Sequence, residues 1–247
     1  MKMLLRLAYD GSRYSGWQIQ NNSQKPTLQQ TLEEVLFQIT QERIRVMASG
    51  RTDAGVHALH QAVMFRTESS LTPERFMCAL NALLPKDMVV KSAQVVADDF
   101  HVMACARKKT YRYLIHNHPN RDVFLRGLVL EYPRHLDVEA MQSACEKLLG
   151  THHFGAFCAA NSAAKTFERT IYEATVRREA ELVIFEVTGN GFLYNMVRIM
   201  VGTLLAISEG KMTEQVFEEA FVTHNRSTLG KTAPPEGLYL VDVSYEA

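Results

Sequence analysis

Residues 49 to 61 read S-G-R-T-D-A-G-V-H-A-L-H-Q, lying between the apolar alternations I-R-V-M-A-S and L-H-Q-A-V-M-F. A plain turn requires a glycine and one small polar residue. This connection holds Arg51, Asp53, His57 and His60. A carboxylate held near a guanidinium stays ionised and aimed, which is how an acidic side chain is kept ready to attack or to accept a proton. Thr-Asp-Ala-Gly is also good turn chemistry, but Arg51 is superfluous to a turn. His57 and His60 form H-x-x-H with no third ligand nearby in sequence, which is weak for a metal, and both read as structural. The loop lacks the Lys and Ser/Thr of a phosphate-binding P-loop.

A second chemical signal lies in the helical pattern from Phe192 to Ile207, apolar almost all round, with Arg198 in its middle and Asn195 one turn earlier. A helix of that kind is normally buried. A buried guanidinium cannot be neutralised and needs an anionic partner. A structural ion pair is one answer; Asp53 is the other. Tyr111 and Tyr113 alternate with Arg112 and Leu114, which suits a core-facing strand or, beside cations, base stacking. Between His101 and Arg126 the cations are Arg107, Lys108, Lys109, Arg112, Arg121 and Arg126, against Asp122. This run reads as a solvated strand face or as a track for a nucleic-acid backbone. His152 and His153 read as loop.

The elements that must position these groups follow from periodicity. Alternation marks strands near 3–9, 44–50, 59–66 and 89–96. Leu28, Leu32, Val35, Leu36 and Ile39 share one helical face, and Thr72 caps a second helix with Pro73 in its first turn. The second half repeats the order: a strand at K-T-Y-R-Y-L-I-H-N, a helix from cap Asp137 to Gly150, a hairpin (T-I-Y-E-A-T-V-R-R-E and E-L-V-I-F-E-V-T), the Arg198 helix, a short helix at 213–223 and a closing strand. Each half matches the split βαβ plan. The expected fold is α+β, two ferredoxin-like βαββαβ units abutting around a central antiparallel sheet with a cleft between them. The expected boundary gives 1–105 the Asp53 loop, and 106–247 the tyrosine strand and arginine helix.

Composition narrows the class. The chain has 247 residues, 47% hydrophobic and 22% charged, with zero formal net charge, an ordinary globular profile. No apolar run approaches the roughly 18 residues of a membrane span. The N-terminal apolar stretch is too short for a signal peptide and reads as a strand, so the expected location is the cytoplasm. Cys78, Cys105, Cys145 and Cys158 have no C-x-x-C spacing and lie in apolar patterns, so reduced, buried thiols are expected.

Four motifs in order carry a resemblance: G-R-T-D-A-G-V-H-A, K-T-Y-R-Y, G-N-G-F-L-Y-N-M-V-R-I-M-V-G-T-L-L and T-A-P-P-E-G-L-Y-L, preceded by Y-D-G-S-R-Y-S-G-W-Q. Together they resemble the tRNA pseudouridine synthase A family from the first strand to the last. The resemblance implies that Asp53 is the essential catalytic residue and that Arg51 takes part in displacing the target base. It implies that Tyr111 packs near that base and that Arg198 pairs with Asp53. It also implies a homodimer, no cofactor, no metal, and tRNA as partner, modified at uridines 38 to 40 of the anticodon arm. RNA backbone contacts then fall to Arg107, Lys108, Lys109 and Arg112. Two positions depart from the family pattern. Met103 replaces the familiar arginine of F-H-A-R, and His153 stands where H-D-F has aspartate.

The chemistry suits these parts. Pseudouridine formation breaks the N1–C1′ bond, turns the uracil and joins C5 to C1′, with no net oxidation. Asp53 could attack C6, act at C1′ or remove a sugar proton, and sequence does not choose among the three. Two rival readings are a non-catalytic RNA-binding module of the same fold and a metal hydrolase built on the two histidines.

Overall fold

The computed structural model describes residues 1–20, 23–160 and 164–246. It groups the chain into two compact units, Met1–Arg107 with Tyr239–Ala247, and Lys108–Leu238.

In the first unit, β1 (Lys2–Tyr9) leads to α1 (Leu28–Thr40), β2 (Met47–Ala48), β3 (His57–Arg66), α2 (Pro73–Leu83) and β4 (Met88–Val95). β1 lies between β3 and β4, antiparallel to both, and β2 pairs antiparallel with β3. That order, β4-β1-β3-β2, is the split βαβ arrangement expected for this half. α1 begins where the Thr27 side chain accepts from the Gln30 N–H, and it ends at Gln41 in the left-handed region. Leu28, Leu32 and Leu36, four apart, are fully buried. α2 starts from Thr72 with Pro73 in its first turn, and Phe76 meets Phe65 of β3 edge to face at 5.8 Å. Met3, Leu5 and Leu7, alternate residues of β1, complete this core.

The second unit contains β5 (Lys108–His116), β6 (Leu130–Glu131), α3 (Val138–Glu146), β7 (Gly150–His153), β8 (Glu168–Glu179), β9 (Leu182–Gly189), α4 (Met196–Ser208) and α5 (Gln215–Thr223). β9 pairs antiparallel with β5 and β8, β8 with β7, and β6 runs parallel to β5. Tyr111, Tyr113 and Ile115 of β5 lie opposite Val187, Phe185 and Val183 of β9, and all six are buried. Mixed α+β architecture with mostly antiparallel pairing therefore holds within each unit.

The final strand, β10 (Leu238–Ser244), departs from the expected partition. Its residues from Tyr239 onward cluster with the first unit, where Tyr239 and Leu240 run parallel to His57 and Ala58 of β3. β2 occupies the β3 edge only at Val63 and Met64, which leaves the N-terminal end of that edge to β10.

Other expectations shift. The Arg198 helix begins at Met196, not Phe192, because Asn195 adopts φ 62° and breaks the helical run. Arg198 thus lies in the first turn of α4 rather than mid-helix. His152 and His153, read as loop, belong to β7, and the helix expected to run to Gly150 stops at Glu146. Gly150 at φ +98° lets the chain turn onto the edge of β8, where the Thr151 and Thr170 hydroxyls bond at 2.8 Å. All four cysteines are free thiols, but only Cys145 is buried; Cys78 faces outward from α2. Among the described residues no helix is long and apolar enough to cross a membrane.

Candidate active site

The loop between β2 and β3 that carries Asp53 is clamped from both sides. Tyr9, at the end of β1, is buried, and its hydroxyl lies 2.8 Å from Oγ1 of Thr52. Burial pushes the Tyr9 phenol far above its usual range, so it stays protonated as a hydrogen-bonding group. The Trp17 N–H donates to the Thr52 carbonyl at 3.0 Å, and the Val56 N–H closes the turn onto the Asp53 carbonyl at 3.2 Å. Gln61 of β3 donates to the Gly50 carbonyl at 2.8 Å and accepts from the Ser49 hydroxyl. Asp53 is held half-buried between anchored neighbours, while Arg51 projects into solvent.

Two glycines allow this clamp. Gly11 packs so closely that a Cβ there would sit 2.0 Å from the Val56 carbonyl oxygen. Gly16, at φ +85°, would place a Cβ 2.7 Å from the Thr52 carbonyl oxygen and 3.0 Å from the carbonyl carbon of Asp53. The segment 9–17 is therefore a backbone cradle for the aspartate loop.

The two histidines that follow the loop, His57 and His60, lie at the start of β3. His57 is buried and stacks on Tyr239 with ring centroids 4.7 Å apart. Its Nδ1 faces both the Gly11 N–H and an Asp10 carboxylate oxygen, each at 3.1 Å. When bare the nitrogen accepts from Gly11, and when protonated it donates to Asp10. Burial alone would raise the Asp10 pKa, but hydrogen bonds from Ser12 and the charge of His57 outweigh it and hold the carboxyl below its usual value. His60 Nδ1 meets the Val241 carbonyl at 3.1 Å.

In the second unit, Tyr111 is buried on β5 and meets Phe192 edge to face at 5.0 Å. Arg198 is half-buried. Its Nε donates to the Ala233 carbonyl at 2.7 Å and its Nη1 to the Asn195 side-chain oxygen at 2.8 Å, while the Ala233 N–H returns a bond to the Arg198 carbonyl at 3.0 Å. The T-A-P-P segment thus orients the guanidinium. It reaches α4 because Gly202 has no side chain: a Cβ there would meet the Lys231 carbonyl oxygen at 1.6 Å. The Thr203 hydroxyl accepts the Gly230 N–H at 3.0 Å, and the Tyr113 hydroxyl donates to the Pro234 carbonyl at 2.8 Å.

The basic run divides. Arg107 and Lys108 are exposed, and the Lys108 ammonium lies 5.6 Å from the centroid of the Tyr172 ring. Lys109 is half-buried; burial and then the charge of Arg169 lower its pKa. Arg112 is engaged by Glu186 at 2.7 Å. Met103 is 51% exposed, and the His153 ring packs, tilted, against His224 at 3.8 Å between centroids.

The sequence profile of the tRNA pseudouridine synthase family matches residues 7–103 and 144–246. The chain belongs to this family. It is 45% identical over 243 residues to tRNA pseudouridine synthase A of Caldicellulosiruptor bescii, covering 98% of this chain and 99% of that protein. It is 47% identical over 241 residues to tRNA pseudouridine synthase A of a Geobacillus species, covering 97% and 96% respectively. The protein of the same name in Acetivibrio thermocellus is 44% identical over 241 residues, 98% of each chain.

Within this tRNA pseudouridine synthase the cradle residues Tyr9, Gly11, Gly16, Trp17 and Gln61 had no role assigned from sequence. The signal was present, since Y-D-G-S-R-Y-S-G-W-Q is one of the family-like stretches. Nothing local in it says that its backbone lies against a loop some 40 residues away. Ala233, which aims Arg198 from 35 residues away, was hidden for the same reason, whereas Asn195 was marked in the sequence by its place one turn before Arg198.

Proposed function

We propose that this isomerase converts uridine to pseudouridine at positions 38, 39 and 40 in the anticodon arm of tRNA, with Asp53 acting on the flipped nucleotide. The reading rests on family membership and on one observation, the half-buried Asp53 held between Thr52, bonded to Tyr9 and Trp17, and Val56, which closes the turn and lies against Gly11. Extruding the target uridine costs a few kcal/mol of stacking and pairing. Arg51, exposed at the head of the loop, is proposed to fill the vacated space with its planar guanidinium. Tyr111 is proposed to pack against the extruded uracil and Arg198 to keep Asp53 ionised.

The N1–C1′ bond breaks, the ring turns and C5 joins C1′. A proton leaves C5 and one is gained at N1, so no electrons are exchanged and the reaction calls for no redox cofactor. Attack by Asp53 on C6, action at C1′ and removal of a sugar proton are each compatible with this balance. Arg107, Lys108 and Lys109 are proposed to contact RNA phosphates, with a lesser share for Arg112, which Glu186 already holds. The protein is proposed to work in the cytoplasm as a homodimer.

The test is a pseudouridine-specific chemical map of tRNA transcripts treated with the protein. Product should appear at 38, 39 or 40 and vanish with Asp53→Asn, which keeps the shape but is neither nucleophile nor base. Affinity for tRNA should stay within several-fold. Turnover by Asp53→Asn at a tenth of the normal rate would remove Asp53 from the reaction. Product elsewhere in the tRNA would overturn the site assignment.

A further inference from the structure

We propose a binding site for a divalent transition metal of the zinc class, formed by His116, His118 and Glu181 of the second unit. One ligand atom from each of these residues lies within 4.8 Å of the other two. His116 ends β5 and is 2% exposed, and its Nε2 lies 3.1 Å from a Glu181 carboxylate oxygen. His118 Nε2 lies 3.7 Å from the other Glu181 oxygen. Neighbouring ligands around a four-coordinate zinc ion are roughly 3.3 Å apart, given metal–ligand distances of about 2.0–2.1 Å. Small side-chain adjustments therefore close this triad on an ion.

The outer shell is already in place. His116 Nδ1 lies 2.7 Å from a carboxylate oxygen of Glu131 on β6. A ligating histidine characteristically gives its second nitrogen to such a carboxylate, which fixes the tautomer and makes the first nitrogen a better donor. His118 Nδ1 lies 3.1 Å from both the Asn120 carbonyl and the Asn120 N–H; in the tautomer that donates to the carbonyl, Nε2 is bare and free to ligate. The third ligand is carried by the β8–β9 turn. That turn is fixed where the Asn117 N–H, between the two histidines, donates to the Glu181 carbonyl at 2.7 Å.

The donor set chooses the class of ion. Two imidazoles and one carboxylate suit zinc, cobalt or nickel, whereas magnesium and calcium prefer oxygen alone. The carboxylates of Glu181 and Glu131 balance a divalent charge. The site is distinct from the tyrosine of the proposed reaction. His116 follows Tyr111 by five residues on the same strand, about 16 Å at strand rise. An ion there would tie the end of β5, the residues after it and the β8–β9 turn into one unit. The competing role for these residues is a histidine clamped between two carboxylates without metal.

Untagged full-length protein, stripped with EDTA, is dialysed against Zn²⁺ and separately against Co²⁺, whose absorption reports coordination. The expected result is one equivalent bound at micromolar affinity or tighter, not displaced by millimolar Mg²⁺, with a raised Tm. His118→Ala and Glu181→Gln alter partly exposed side chains, so folding should survive. Each should weaken binding by at least about 10-fold, in line with loss of a ligand, and abolish the Tm rise. Absence of stoichiometric binding, or binding and Tm shifts unchanged in both variants, would overturn the site and leave the proton-clamped histidine.

Discussion

The Tyr9 hydroxyl lies 2.8 Å from Oγ1 of Thr52, the residue before Asp53, and both side chains are buried. The bond joins the end of β1 to the aspartate loop. Tyr9→Phe keeps the ring and removes the bond, so stability should fall by about 1 kcal/mol. Loosening of the loop should lower kcat by about 10-fold with tRNA affinity unchanged. Single-turnover kinetics beside a filter-binding titration separates the two; an unaltered kcat would make the contact purely structural.

Gly16 and Gly210 form an internal comparison. Both have positive φ, +85° and +69°, but a Cβ on Gly16 meets the Thr52 carbonyl oxygen at 2.7 Å while one on Gly210 meets nothing within 4 Å. Gly210→Ala should cost about 1 kcal/mol from backbone strain, with normal turnover. Gly16→Ala adds a backbone collision and should cost about 2–4 kcal/mol, with activity per folded molecule reduced by more than about 10-fold. Chemical denaturation and turnover of both variants check the contrast.

Arg198 donates to Ala233 and Asn195, so Arg198→Met removes these hydrogen bonds and the proposed counter-charge of Asp53. Stability should drop by about 1–3 kcal/mol, and kcat by about 100-fold or more. Arg198→Lys keeps the charge but not the planar fork and should restore only part of the rate. A lower Tm with a normal rate per folded enzyme would confine Arg198 to packing.

Glu209, just past α4, accepts from Lys211, Tyr132 and Arg134. These bonds, Lys211 foremost, hold its carboxyl down at about 2. A depressed acid stabilises the fold above its unfolded pKa of about 4.5, and that contribution fades as pH falls towards 2. Glu209→Gln should therefore lower stability by about 1 kcal/mol at pH 7. The gap to the unaltered protein should narrow steadily below pH 4.5. Denaturation midpoints from pH 7 to 3 measure it, and a constant gap would show that the loss is not one of charge.

The sequence by itself determined what depends on near neighbours. Four-residue spacing of Leu28, Leu32 and Leu36 suffices for α1, and the Thr72 cap with Pro73 for α2, because helix sterics and capping act within one turn. Alternation suffices for β1, β3, β4 and β5, and the order of elements for a split βαβ unit. The motif around Asp53 marked it as a candidate because a carboxylate, a guanidinium and two glycines were packed into one short loop. Tertiary structure alone decided which distant groups meet. Tyr9 reaches Thr52 across 43 residues, and Glu181 reaches His116 across 65. The start of α4 moved to Met196 when Asn195 took a left-handed conformation, which the apolar pattern does not encode. Cys78 turned outward although its neighbours Phe76 and Leu80 are buried. Local pattern reports sterics and burial within a few residues. Contacts between distant segments depend on how closely two backbones approach, and the cradle under Asp53 exists because Gly11 and Gly16 leave no side chain in the way.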